Sequence, residues 1–212
     1  EDSFDSQTNL LAKLARMRHI TGLAKIPATV DYAMEFIEET DRKLCIFVHH
    51  IDVGELIYRE LKEKMPDTPI LRITGGMKGQ DRYDVQEEFN RLPQCILVGS
   101  TLAAGEGLNL QTCADCVIHE RQWNPANEEQ AEGRFIRIGQ TAESVGAKYP
   151  TAKGTVDEFM WNLNERKREQ FHAGMNQTVA PVWNQAQALK ELAQTIVDNA
   201  KPTSIAKKLA QM

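Results

Sequence analysis

Hydrophobic positions along this chain follow two rhythms that alternate. From Gln7 to Ile20 apolar residues recur at helical spacing, at Leu10, Leu11, Leu14 and Met17. Pro27 opens a second helix, where its missing N–H costs little, and Val30, Met34 and Ile37 form its inner stripe. The rhythm then changes to an unbroken apolar run, Lys43-Leu-Cys-Ile-Phe-Val-His49. Such runs mark strands buried on both faces of a parallel sheet. A helix with Val53, Ile57 and Leu61 inward follows, then a strand at Ile70-Leu-Arg-Ile-Thr74 and a loop at Gly75-Gly76. Gln80 to Leu92 reads as a helix with Val85, Phe89 and Leu92 inward, and Cys95-Ile-Leu-Val98 as a buried strand that ends in Gly99-Ser-Thr. Cys116-Val-Ile118 is a short strand, Asn127 to Ile138 is helical, and Val145 to Tyr149 is the last strand. Strands alternating with helices imply βαβ units, a parallel sheet and right-handed crossovers. The periodicity does not give the strand order. Asp157 to Phe171 forms a long charged helix, and Pro181 and Pro202 bracket a further helix with a stripe from Leu189 to Val197.

Composition changes this picture little. The chain has 212 residues, 42% hydrophobic and 26% charged, enough for one domain with a real core and some extra length. No apolar run approaches the ~20 residues of a membrane span. Residue 1 is Glu, and the chain reads as cut from a longer protein. The net charge of −5 argues against a free-standing, non-specific DNA binder, although a local cluster of donors can still line a groove. Four cysteines, two of them inside apolar strands, suit an intracellular, reducing compartment such as cytoplasm, nucleus or nucleoid. Cys113-Ala-Asp-Cys116 with His119 has metal-ligand spacing. It stops short of the four ligands of structural zinc, so buried thiols and no metal site are expected.

Candidate chemistry gathers where open parallel sheets bind ligands, beyond the carboxyl ends of the strands. His49-His50, Thr74-Gly75-Gly76, Ser100-Thr101 and Glu120 to Pro125 all fall there. The strongest signal is Gln130-Ala-Glu-Gly-Arg134-Phe-Ile-Arg137-Ile-Gly-Gln140. On a helix, Gln130, Arg134 and Arg137 share a polar stripe beside an apolar one formed by Ala131, Phe135 and Ile138. Two guanidinium groups and an amide projecting together suit a polyphosphate. A solvated basic face is the plain alternative. In Ser100-Thr-Leu-Ala-Ala-Gly105-Glu-Gly107-Leu-Asn109 a buried strand gives way to hydroxyls and two glycines. Such a turn can hold a phosphate, glycine permitting the close approach. His49 and His50 read first as packed or surface histidines, with a DNA contact as the alternative. Trp123, with Asn-Pro following, reads first as a structural loop anchor, with a stacking platform as the alternative.

Together these segments resemble the Swi/Snf-type ATPases of helicase superfamily two. Ser100-Thr101 through Gln140, including Trp123-Asn-Pro125, resembles that family's motifs V and VI. Cys45-Ile-Phe-Val-His-His50 is similar to motif IV, and Arg72-Ile-Thr-Gly-Gly, with Arg82 and Phe89, to the motif after it. Ala24-Lys-Ile-Pro27 and Ala152-Lys-Gly-Thr-Val-Asp-Glu-Phe-Met-Trp161 resemble the annealing-helicase (HARP-like) subgroup. The resemblance spans residues 20–172.

The resemblance implies an α/β, RecA-like parallel sheet with helices on both faces, the C-terminal lobe of a two-lobed motor, with helices added at each end. Residues 1–25 would form an N-terminal helical segment, 26–175 the lobe and 176–212 a helical tail. It also implies arginine fingers at Arg134 and Arg137, with Gln130, Asn109 and Gly107 beside ATP. Thr101, Ser100, Lys78, Arg82 and His49 would meet the DNA backbone. Partners would be double-stranded or forked DNA and the N-terminal RecA-like lobe of the same protein, with no membrane and a monomeric fragment. Leu102 stands where many relatives have Arg, Ala104 and Glu106 replace a common Gly and Leu, and Glu120-Arg-Gln122 replaces an acidic and aromatic stretch. The chain contains no G-x-x-x-x-G-K-[ST] and no Asp-Glu pair ending an apolar strand. ATP phosphates and Mg²⁺ would therefore be held mainly by the other lobe, expected upstream of Glu1, and the fragment alone would be inactive. A degenerate lobe serving as a protein scaffold and half of an RNA helicase are the alternatives.

Overall fold

The continuous apolar runs become the strands of one parallel sheet. In a computed structural model of the chain, residues 2–101, 109–110, 112–122, 127–128, 130, 133 and 144–175 are described. The chain divides into two compact units, Glu1–Asp157 and Glu158–Met212. The first unit carries β1 (Leu44–Val48), β2 (Ile70–Ile73), β3 (Ile96–Ser100), β4 (Asp115–Ile118) and β5 (Gly146–Lys148). They lie in the order β2-β3-β1-β4-β5, with every neighbouring pair parallel. The long apolar run at Leu44–Val48 is thus the central strand, buried at all five positions.

Pleating sends successive side chains to opposite faces. Leu44, Ile46 and Val48 join Ile96, Val98 and Val117 on one face, under α2 (Ile26–Glu39) and α3 (Ile51–Lys64). Cys45 and Phe47 join Leu97, Cys116 and Ile118 on the other, under Phe89 of α4 (Gly79–Arg91). The expected inner stripe of α3, Val53, Ile57 and Leu61, is fully buried. Val30 and Ile37 of α2 are buried and Met34 is partly so. Lys43, just before β1, buries its ammonium at the end of α4, donating to Phe89 O at 2.7 Å and Asn90 O at 3.1 Å. A cation there satisfies carbonyls that the helix leaves open. α5 (Val156–Met175) begins within the first unit and continues into the second.

Two details differ from the periodicity. β3 runs on through Gly99 and Ser100, because these pair with Phe47 and Val48 of the central strand. α1 (Asp2–Ala24) outlasts the expected Gln7–Ile20 helix, and its later buried positions are polar: Arg18, Thr21 and, at the junction with α2, Lys25. Leu14 is buried as the apolar stripe requires. Asn127, Glu128 and Gln130 are helical, as expected for that segment. The rest of that helix and the 181–202 tail lie outside the described residues.

Gly54 sets how closely α3 approaches the sheet. A methyl group there would meet Val48 Cγ2 at 2.8 Å and Val98 Cγ1 at 4.0 Å. Alanine favours a helix over glycine by ~1 kcal/mol, while overpacking a filled core costs ~1–3 kcal/mol. Because valine is stiff, the clash wins: Gly54→Ala should lower unfolding free energy by roughly 1–2 kcal/mol. Urea titration of the single variants and of Gly54→Ala with Val48→Ala checks this. The double variant should lose less than the two singles combined.

Candidate nucleotide and nucleic-acid interface

The chain leaving β4 stays buried for four residues past the strand: His119, Glu120, Arg121 and Gln122 are each under 5% exposed. Each therefore needs an internal partner. The His119 N–H continues the ladder to Phe47 O at 2.9 Å. Its ring is held at both nitrogens, Nδ1 by the Thr29 hydroxyl at 2.8 Å and Nε2 by Gly22 O at 2.9 Å. Nε2–H donates to that carbonyl, so Nδ1 accepts from Thr29 and the imidazole is neutral. Burial, then the nearby Lys25 ammonium, lower its pKa from 6.5 to about 4.

Glu120 turns its carboxylate onto the loop between β1 and α3. Oε2 accepts the N–H groups of His49 at 2.8 Å and His50 at 2.9 Å, and Oε1 pairs with His50 Nδ1 at 2.5 Å. Burial works to raise the Glu120 pKa, but the hydrogen bonds from His50 and His49 hold it below the usual carboxylate range. The protein's own carboxylate thus takes the two backbone N–H groups just before α3. Gly22 makes room for it, since a Cβ there would lie 2.6 Å from Oε1.

Arg121 and Glu128 form a buried two-pronged pair: Nε lies 3.0 and 3.1 Å from the two carboxylate oxygens and Nη2 lies 2.9 Å from Oε2. The Arg121 guanidinium also stacks over Tyr149 at 4.6 Å. Glu128 Oε1 accepts the Gln122 N–H at 2.7 Å. The Gln122 side chain then reaches His49 Nδ1 at 3.2 Å and the Thr101 hydroxyl at 3.3 Å, and Thr101 donates to Val48 O at 3.1 Å. The carboxyl ends of β1, β3 and β4 and Glu128 are therefore one network.

Comparison with known proteins agrees with this architecture. Residues 27–139 match the model of the helicase conserved C-terminal domain, 113 of the 212 residues. The SWI/SNF-related matrix-associated actin-dependent regulator of chromatin subfamily A-like protein 1 of Xenopus tropicalis is 38% identical over 69% of the chain. The SWI2/SNF2 ATPase core of Sulfolobus solfataricus, solved in complex with dsDNA, shares 26% identity over 76% of this chain and 36% of its own, with a TM-score of 0.59. The chain belongs to the SNF2 family, as a helicase C-terminal domain. The C-terminal part of the Fun30 ATPase domain overlays 66% of this SNF2 lobe and 44% of itself, at 27% identity and a TM-score of 0.60. The human DNA annealing helicase and endonuclease ZRANB3 is 30% identical over 79% of the lobe. The lobe spans 15% of the length of the Xenopus and human relatives.

The SNF2 lobe gathers its sequence-nominated residues in two groups. His49, Ser100 and Thr101 stand at the ends of β1 and β3. His49 is half-buried, and burial followed by the Arg18 and His50 charges lowers its pKa. Ser100 is half-buried, whereas Thr101 is enclosed at 1% exposure with its hydroxyl engaged on both sides. Lys78 and Arg82 lie along α4, Lys78 exposed at its N-cap and Arg82 half-buried one turn on. Gln86, a further turn along the same face, accepts the Asn109 N–H at 2.7 Å and brings Asn109 to this helix. Gln130 is exposed. Gly107, Arg134 and Arg137 lie outside the described residues. The spacing Cys113-x-x-Cys116 belongs to the core: the Cys113 thiol donates to Lys43 O at 3.2 Å, and both nitrogens of His119 are committed elsewhere. Among the described residues no three metal-ligating side chains come together, and no helix is long and apolar enough to cross a membrane.

His119 gives the lobe an acid-side weakness. Unfolded chains bind its proton near pH 6.5, and the folded lobe refuses it until about pH 4. Stability from this group is complete above the unfolded value and declines as pH falls through that window, by about 1.4 kcal/mol per pH unit for one site. The lowered His49 adds in the same direction. Urea midpoints at pH 7.5, 6 and 5 should fall steadily, and His119→Asn should be less stable at pH 7.5 with a shallower decline.

Proposed function

We propose that this lobe is the second of two motor lobes in an ATP-driven double-stranded DNA translocase. Arg134 and Arg137 act as arginine fingers toward a nucleotide gripped by the other lobe. Gln130 and Asn109 line the same cleft, with Gly107 permitting close approach. Other relatives are named as ATP-dependent helicases, among them one from Mycoplasma pneumoniae, 32% identical over 77% of this chain. The observation that carries the proposal is the buried Arg121–Glu128 pair. It fastens Glu128, six residues before Arg134 in the sequence, to the end of β4, inside a low-dielectric setting where two-pronged contacts hold position. Cations placed where charge builds during phosphoryl transfer contribute ~10³-fold or more.

The chain's own residues suit a supporting place in ATP binding. Glu120 takes the N–H groups of His49 and His50, just before α3. A phosphate cradle and the Mg²⁺ ligands then belong to the other lobe, and ATP supplies the phosphoryl group that the fingers stabilise. On the DNA side, Ser100, Lys78, Arg82 and His49 offer backbone contacts that follow a strand without reading its sequence. Thr101 serves as a support behind them, because its hydroxyl is enclosed. The relative named as a DNA annealing helicase supports forked or annealing DNA as the substrate. Residues 26–175 form the motor lobe in this proposal, with the flanking helices as additions.

In the intact two-lobed protein, Arg137→Ala should reduce DNA-stimulated ATP hydrolysis by ~10³-fold while ATP binding changes little. Steady-state hydrolysis and nucleotide titration test this, and normal turnover would remove Arg137 from the finger role. The isolated lobe should hydrolyse ATP no faster than buffer. Greater stimulation by RNA than by duplex DNA would move the assignment to an RNA helicase.

A further inference from the structure

Buried groups on α1 and just past its end, spaced about a helical turn apart, meet successive residues past β4. Arg18 Nη2 donates to Arg121 O at 2.6 Å. Gly22 lies against the Glu120 carboxylate, and its carbonyl accepts from His119. Lys25 Nζ donates to His119 O at 2.6 Å, to Pro150 O at 3.1 Å, and pairs with Asp157 at 2.8 Å. As the helix advances from 18 to 25 its partners retreat from 121 to 119, so the two segments run antiparallel along a shared seam. Arg18, Lys25, Glu120 and Arg121 are all at most 6% exposed.

Burial of a guanidinium is a costly way to pack a helix. An apolar side chain would bury area without desolvating a charge. A charged donor aimed at a backbone oxygen fixes location instead, because the hydrogen bond weakens steeply with distance and angle. The carbonyl it fixes belongs to Arg121, whose side chain holds Glu128. Arg18 also lies outside residues 27–139, the segment that matches the family model.

We infer that Arg18 is a positioning residue for ATP hydrolysis, setting through Arg121 and Glu128 the place of the segment that carries Arg134 and Arg137. The inference rests on the finger role proposed for Arg137. It makes α1 part of the catalytic alignment, so that displacement of that helix is felt at the fingers.

The test uses the intact two-lobed protein with saturating duplex DNA. Arg18→Ala should lower kcat about tenfold or more, since small misplacements of catalytic groups cost up to ~10²-fold. The KM for ATP and the affinity for DNA should change less than about twofold. Arg18→Lys, which keeps a donor, should recover part of the loss. Gly22→Ala, which presses on Glu120 without removing a charge, should show the same kcat-only pattern and serves if Arg18→Ala folds poorly. The kcat losses of Arg18→Ala and Glu128→Gln should combine to less than their product, because both break one route. Unchanged kcat in both α1 variants overturns the inference. So does a parallel shift of kcat, KM and unfolding midpoint that lysine fails to relieve. Arg137→Ala run alongside separates the two ideas: full turnover there defeats the finger role, whereas its loss with normal turnover in the α1 variants defeats only the role of Arg18.

Discussion

Glu120 is the residue around which the rim of this lobe is built. Its carboxylate joins the ends of β1 and β4, the entry to α3 and the last turn of α1 in one place. A buried carboxylate without donors would be untenable. Here two backbone N–H groups and an imidazole meet it, and those N–H groups lie at the turn from β1 into α3. Each side of the contact removes a cost that the other would bear alone. The close approach of α1 follows, because only a glycine at position 22 leaves space for the carboxylate.

The neighbouring ion pairs extend this logic. Arg121 with Glu128 and Lys25 with Asp157 are each under 10% exposed. Pairs this deep add little net stability compared with apolar packing, since desolvation offsets their attraction. They do restrict geometry, because a misaligned buried charge is far more costly than a misaligned methyl. The parts of the lobe that need accurate placement are held by charge, and the parts that need only to stay folded are held by Val, Ile, Leu and Phe. The hydrophobic faces of the sheet and the polar seam at its carboxyl end do different work in the same domain.

Much of the architecture was legible in the chain. Leu44–Val48 and Ile96–Val98 are unbroken apolar runs because helices cover both faces of the sheet, and α2, α3 and α4 show helical stripes because each buries one side. Gly99 and Ser100 have weak strand preference, and only their partners on β1 make them strand. The site was less readable. His49 follows the end of β1, Lys78 caps α4, and Arg82 and Asn109 lie along that helix. Thr101 has the right position, but its hydroxyl is consumed by Val48 and Gln122. Arg18, Thr21 and Lys25 on and just after α1 have the spacing of an ordinary solvated face, and their burial depends on polar groups about a hundred residues away. No local pattern distinguishes such a stripe from one that faces water.

The margins of the sheet carry a last consequence. Among the described residues the outer strands are β2, with four residues, and β5, with three. Four residues of backbone at one border and three at the other give a second chain few groups to pair with, so recruitment by strand addition gains little. Growth of the sheet into a longer assembly is discouraged by brevity at both borders.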